Sequence, residues 1–292
     1  MSTVFGPPVV SGVIKYRIAT ILASIFIFLG AWLNGTSGVS TVSEITKLSI
    51  TSAIAVSLSA AIVTLVMTYI SIPTSITQGV IGAVVGIGII NHLTNWAIII
   101  KLLIFWVVTP FGTIFLAFLL FKLMAIFYHK MKSVRSRGTF VRILSFSAGI
   151  YAAYSLGANN LAIVSGQFTS KGMLTISQAL LFGGLAMALG TFTASKKVIY
   201  AVGKDITSLD SFGSAIALVA ESTALLAYSL IGIPTSSAQA VVGAVIGVGL
   251  VKGTKMINAK TLIKVISGWA ITPFATGAVA VIIYLVSLKL GW

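Results

Sequence analysis

The feature that most constrains this chain is a stretch that it contains twice. Ile72-Pro73-Thr74-Ser75-Ile76-Thr77-Gln78-Gly79-Val80-Ile81-Gly82 returns 161 residues later as Ile233-Pro234-Thr235-Ser236-Ser237-Ala238-Gln239-Ala240-Val241-Val242-Gly243. In each copy a proline and a short polar cluster lead into an apolar run punctuated by glycines. Proline suits the first position of a helix, where its missing N–H costs nothing. Hydroxyls and free backbone N–H groups at such a start can serve an anion. Each copy therefore reads as a helix that begins inside an apolar medium rather than at its edge.

That medium is lipid. The chain is 58% apolar and 8% charged, with a mean hydropathy of +1.10, against about 25% charged residues in a soluble domain. An all-α polytopic membrane protein of the cell membrane follows. Cysteine is absent, which excludes disulfides and thiolate metal sites. Two histidines and four acids, Glu44, Asp205, Asp210 and Glu221, make no metal centre and no paired-carboxylate hydrolase. The net charge of +15 lies mostly in connections between apolar runs, the pattern of positive-inside topology rather than of nucleic-acid binding. Met1 to Pro8 lacks a basic region followed by an apolar core, so no cleavable leader is expected.

In chain order, apolar runs are expected at about 18–33, 48–70, 72–90 and 96–128. They resume at about 143–164, 174–194, 212–231, 233–250 and 262–288. The run 96–128 is longer than the ~20 residues one crossing needs. Pro110 interrupts it within Trp106-Val107-Val108-Thr109-Pro110-Phe111, and Trp269-Ala270-Ile271-Thr272-Pro273-Phe274 repeats this pattern at offset 163. A break or kink is expected at both prolines. Glu44-Ile45-Thr46 pairs with Asp205-Ile206-Thr207, again at 161. Residues 1–128 thus form one transmembrane repeat, 129–142 a basic cytoplasmic loop, and 143–292 a second repeat. Duplication of this kind points to transporter architecture, with the site where the repeats meet. The run 143–164 has no partner in the first repeat, which is expected to be short of its first helix.

Thr74, Ser75, Thr77 and Gln78, with Thr235, Ser236, Ser237 and Gln239, place hydroxyl and amide donors at the starts of two half-helices. Pro73 and Pro234 mark the breaks that precede them. A tetrahedral dianion needs many donors and few acceptors, and each half-helix start adds roughly half a positive charge. The same side chains also suit a structural job, satisfying backbone near a proline or permitting close packing. The glycines that follow have the small-xxx-small spacing of helix contacts. Asn159 and Asn160 sit inside an apolar run, where polar side chains face a cavity or bond a neighbouring helix. Glu221 is the only acid within an expected span, which makes it the candidate proton carrier. Its alternative is a structural glutamate, hydrogen-bonded or neutralised by a lysine.

These motifs resemble those of the inorganic phosphate transporter (PiT) family. Pro234 to Gln239 is similar to its Pro-x-Ser-Thr-[Thr/Ser]-[His/Gln] signature, and Gly157-Ala158-Asn159-Asn160 to its Gly-Ala-Asn-Asp motif. Lys196-Lys197-Val198-Ile199 with Val202 to Thr207, Glu221 and the two Trp-x-x-Thr-Pro motifs match as well. The resemblance implies inverted repeats, two re-entrant hairpins and an oxyanion bound between them. Asn160 stands where the family carries Asp. Monohydrogen phosphate brings a proton that a carboxylate can accept, whereas sulfate brings none, so an all-donor site favours sulfate. The sulfate-permease branch of the family resembles this chain at the same Asn-Asn. Loss of that carboxylate also weighs against sodium as the coupling ion. The expected function is secondary-active, proton-coupled uptake of sulfate, with no cofactor and no enzymatic chemistry. A phosphate transporter, a passive anion channel and a non-transporting membrane protein are the alternatives; homo-oligomerisation stays open.

Overall fold

A computed structural model describes residues 4–5, 8–9, 12–70, 74–193, 209–253 and 259–291, without the side chains of 259–262 and 264. From Tyr16 on, the described residues form ten α-helices: α1 (Tyr16–Asn34), α2 (Thr36–Ser43), α3 (Ile50–Tyr69), α4 (Ile76–Ile90), α5 (Trp96–Lys130), α6 (Val134–Thr169), α7 (Ile176–Thr193), α8 (Ser211–Leu230), α9 (Ser237–Lys252) and α10 (Ala259–Lys289). Helix is the dictated answer, since in lipid every backbone group must be satisfied within the segment itself. Six of these helices are long and apolar enough to cross a membrane, and the protein is a multi-pass membrane protein. Side chains start several of them: Ser49, Ser75, Asp210 and Ser236 each accept an N–H from the third residue of the helix they open.

Three expectations are corrected. Segment 129–142 is not a loop: α5 runs to Lys130 and α6 begins at Val134, leaving only Met131, Lys132 and Ser133 outside helix. Arg137 closes the turn by donating from Nε to the Met131 carbonyl at 2.9 Å. Of the break or kink expected at Pro110 and Pro273, the break does not occur, since both helices run on through their prolines. Threonines stitch the backbone around each proline. Thr109 and Thr272 donate to the Phe105 and Gly268 carbonyls, and Thr113 and Thr276 donate to the carbonyls of Pro110 and Pro273. Between the apolar runs 18–33 and 48–70, the Gly-, Ser- and Thr-rich stretch from Asn34 to Lys47, expected only as a polar connection, holds a helix as well, α2, which packs on α6. Asp205 and the Lys196–Thr207 motif lie outside the described residues, as does Pro73.

Two helical hairpins organise the rest. In the first, α3 and α4 leave from and return to one end of the bundle. There the Leu48 N–H donates to Ser170 Oγ at 2.9 Å, Ser170 Oγ donates to the Thr46 carbonyl, and Gly88 closes against Thr46. In the second, α8 and α9 are joined at their base by the Lys252–Asp210 ion pair at 2.6 Å. Phe212 stacks there on Tyr128 at 4.7 Å and packs against Phe140, which belongs to the start of α6. The hairpins are therefore rooted at opposite ends of α6, and their tips meet between. The halves also exchange partners: α4 packs along α10 and α9 along α5.

The glycines make that exchange possible. A Cβ at Gly82 would sit 2.5 Å from Pro273 Cα, and one at Gly243 would sit 3.0 Å from Pro110 Cα. Backbone touches backbone at both crossings, which only glycine allows.

Candidate functional site

The tips bring one polar cluster from each repeat into contact. Ser75 and Ser236 are the N-caps, so both helices open on serine, and Pro234 falls outside α9. Each serine Oγ accepts the N–H of the glutamine three residues on, at 3.3 Å, and keeps its own O–H to donate. Thr77 Oγ1 donates to the Thr235 carbonyl at 3.1 Å and joins the two tips directly. Thr77, Thr235, Ser75 and Ser236 are all buried. Thr74 and Ser237 are half-buried. The first-turn N–H groups of α4 and α9 point toward the same junction, and both helix dipoles add positive potential there.

From α6, Asn159 clamps the second tip. Its Oδ1 accepts the Thr235 N–H at 3.0 Å and the Thr235 hydroxyl at 3.3 Å. Its Nδ2 donates to the Thr235 carbonyl at 2.8 Å and to Asn160 Oδ1 at 2.9 Å. Every hydrogen-bonding atom of this buried amide is engaged. Asn160 is half-buried. Because its Oδ1 is taken by Asn159, its Nδ2 is the group left to face outward as a donor. Gly157 beneath them meets the Ile27 carbonyl of α1 with no room for a Cβ, which seats the whole turn.

The sequences Ser75-x-x-Gln78 and Ser236-x-x-Gln239 have the form of capping boxes, in which the glutamine reaches back to the cap N–H. In α7 the box closes both ways, Thr175 Oγ1 accepting from Gln178 N–H and Gln178 Oε1 accepting from Thr175 N–H at 2.9 Å. At the tips it stays half made. Gln78 and Gln239 are 4% and 5% exposed, yet each Oε1 has no partner among the described residues. The indole Nε1 atoms of Trp106 and Trp269 are likewise buried and unpartnered. All four residues border one cavity of about 740 Å³ between α4, α5 and α10, whose other walls are aliphatic or aromatic. Buried polar atoms without partners are uncommon, and here they occur as two repeat-related pairs. The sequence marks these tryptophans only as members of a repeated Trp-x-x-Thr-Pro motif at offset 163, and that repetition is the signal that they share a role.

Glu221 is 6% exposed on α8, and the repeat-related position on α3 is Ala60, so this acid has no twin. Among the described residues, no group of three His, Asp or Glu could hold a metal ion. The arrangement is a buried junction of hydroxyl and amide groups at two positive helix ends, and among the described residues it holds no nucleophile–base pair.

Comparison with known proteins agrees in kind. The phosphate transporter family profile matches residues 1–280. The sulfate permease CysP of Bacillus subtilis is 29% identical over 289 residues, covering 96% of this chain and 80% of that protein. A protein assigned as a phosphate permease in Methanocaldococcus jannaschii is 27% identical over 274 residues, covering 94% and 86%. A solved structure described as the sodium-dependent phosphate transporter superposes with a TM-score of 0.85 at 23% identity, covering 99% of this chain and 94% of that one.

Proposed function

The chain belongs to the phosphate transporter family, as an anion permease and not an enzyme, and we propose that it carries sulfate in preference to phosphate. In this reading the oxyanion sits between the hairpin tips. Donors come from the free hydroxyls of Thr74, Ser75, Ser236 and Ser237, the amide of Asn160, and the first-turn N–H groups of α4 and α9. The indoles of Trp106 and Trp269 supply further donors once an anion gives them something to bond, and Gln78 and Gln239 can donate only from Nε2, since the oxygen of each is the atom left without a partner among the described residues. Thr77, Thr235 and Asn159 position the junction, since their polar groups already hold it together.

The observation that carries the preference is the orientation of Asn160, whose oxygen is committed to Asn159 and whose N–H₂ remains. A fully deprotonated anion is served by a donor at that place; a protonated one gains more from an acceptor. The α3–α4 and α8–α9 pairs, rooted at opposite ends, act as two re-entrant hairpins of inverted repeats, alternately opening the junction to each side. Glu221 is the proton carrier, because coupling needs an ionisable group inside the bundle.

Uptake of radiolabelled sulfate by proteoliposomes, with excess unlabelled phosphate, tests the preference. Strong competition by phosphate combined with weak competition by sulfate defeats it. Collapse of the proton gradient should abolish accumulation; uptake that follows sodium instead transfers the coupling role to that ion, and flux indifferent to either gradient points to a channel.

A further inference from the structure

A second, polar cavity of about 760 Å³ opens where α6 ends and the first hairpin is rooted, lined by Ser43, Glu44, Thr46, Lys47, Thr169 and Lys171 among others. Lys47, Lys171 and Glu44 are exposed, and none of them forms an ion pair among the described residues. The wall is fixed by Ser170, which bonds both the Thr46 carbonyl and the Leu48 N–H. Thr46 Oγ1 is buried in it without a partner among the described residues. Lys171 holds a left-handed backbone at φ 55°, and so does His92 at φ 54°, next to the cavity residue Leu93. These are the only such non-glycine residues among those described. Strained conformations of this kind persist where the surroundings hold them, and they gather at functional positions.

Sidedness follows from the charges. The opposite end of α6 carries Arg135, Arg137 and Arg142, preceded by Lys130 and Lys132. The start of α1, with Lys15 and Arg17, lies there too, since Ala19 and Ala23 pack on Ala148 and Ala152. Such an excess marks the cytoplasmic face. The cavity therefore faces outward, about 15 Å along α6 from Asn159 at 1.5 Å per residue, which also sets the hairpin tips near the middle of a hydrocarbon layer about 30 Å thick. Topology does not call for lysines on this side.

We infer that this cavity is an extracytoplasmic vestibule that collects the divalent oxyanion, with Lys47 and Lys171 raising its concentration before it moves to the tips. The inference rests on the anion-permease reading. Two cations on a concave rim focus the field over a low-dielectric wall, and Glu44 opposes them. Capture is therefore sensitive to salt and strengthens when Glu44 is neutralised.

The chain has no cysteine, so Ser43→Cys places a single thiol in the vestibule. Its reaction rates with a sulfonate-bearing and an ammonium-bearing methanethiosulfonate, both added outside, report the local potential without any transport. The anionic-to-cationic rate ratio should fall about tenfold in a Lys47→Gln/Lys171→Gln background, rise with Glu44→Gln, and lose both differences in molar salt. The same double substitution, without the cysteine, should raise the KM for sulfate several-fold at low ionic strength and leave the maximal rate unchanged. A ratio indifferent to the lysines, labelling only from the cytoplasmic face, or no labelling at all overturns the vestibule. If the ratio responds but the protein moves no oxyanion, the vestibule stands and the permease reading fails. Uptake with an unresponsive ratio sinks the vestibule alone.

Discussion

Asn160→Asp is the most revealing single change. Asn159 Nδ2 lies 2.9 Å from Asn160 Oδ1, so an aspartate keeps that bond with one oxygen and sets its other oxygen where the N–H₂ was. The fold has little reason to change, because Asn160 is half-buried and the bond that orients it survives. The site changes sharply. A carboxylate about 4 Å from the centre of a dianion is repelled by about 8 kcal/mol at an effective dielectric of about 20. Loss of the donated bond adds about 1.5–3 kcal/mol. Even a third of that sum, about 3 kcal/mol, is more than a hundredfold in affinity. Monohydrogen phosphate can recover part of it by donating its proton to the new oxygen. Initial uptake of radiolabelled sulfate and phosphate, measured side by side in proteoliposomes, should show sulfate KM rising at least about a hundredfold while phosphate suffers far less. A sulfate KM within threefold of the parent, or equal losses for both anions, would refute the argument. An unchanged thermal unfolding midpoint in detergent would show that the site, and not the fold, was altered.

Three further outcomes follow from the same geometry. Gly82→Ala and Gly243→Ala should each force a hairpin helix off its proline-bearing partner, lowering stability by about 1–3 kcal/mol by overpacking and cutting uptake; unfolding in detergent checks this, and Gly138→Ala, a helical position with nothing within 4 Å, serves as the unhindered control that should be unchanged or slightly stabilised. Trp106→Phe and Trp269→Phe remove one buried N–H while keeping most of the ring, and should raise sulfate KM about ten- to a hundredfold apiece, the value of one donor to a charged group; unchanged KM for both would take the indoles out of the site. Glu221→Gln should leave sulfate exchange across the membrane intact but abolish accumulation driven by an imposed proton gradient, and persistent accumulation would free Glu221 from the coupling role.

Much of the helical layout could be read from residue order. The apolar runs predicted α1, α3, α7 and α8 to within a few residues, because a span must be apolar along its whole length. The offsets of 161 and 163 paired α4 with α9 and Pro110 with Pro273, since repeat register survives as spacing. Other features followed a different physics. The arginine-rich start of α6 looked like a loop because charge marks where hydrocarbon ends, not where hydrogen bonding ends. Gly, Ser and Thr hid α2 for a similar reason: they disfavour an isolated helix, and only packing against α6 holds this one.

Sequence alone thus determined the duplicated Pro-Thr-Ser stretch, the residue types at each helix start and the chain's residence in lipid. It could not say which helix each face would meet, because a lipid-soluble helix is apolar all round and carries no stripe that points to its neighbour. The tertiary structure decided that α4 lies on α10 and α9 on α5, through glycines that admit backbone contact. It also decided that one asparagine of the Asn159-Asn160 pair is spent holding Thr235 while the other keeps a donor free. A hydrogen bond is made between places in space, and sequence order reports those places only when the chain brings its neighbours together locally.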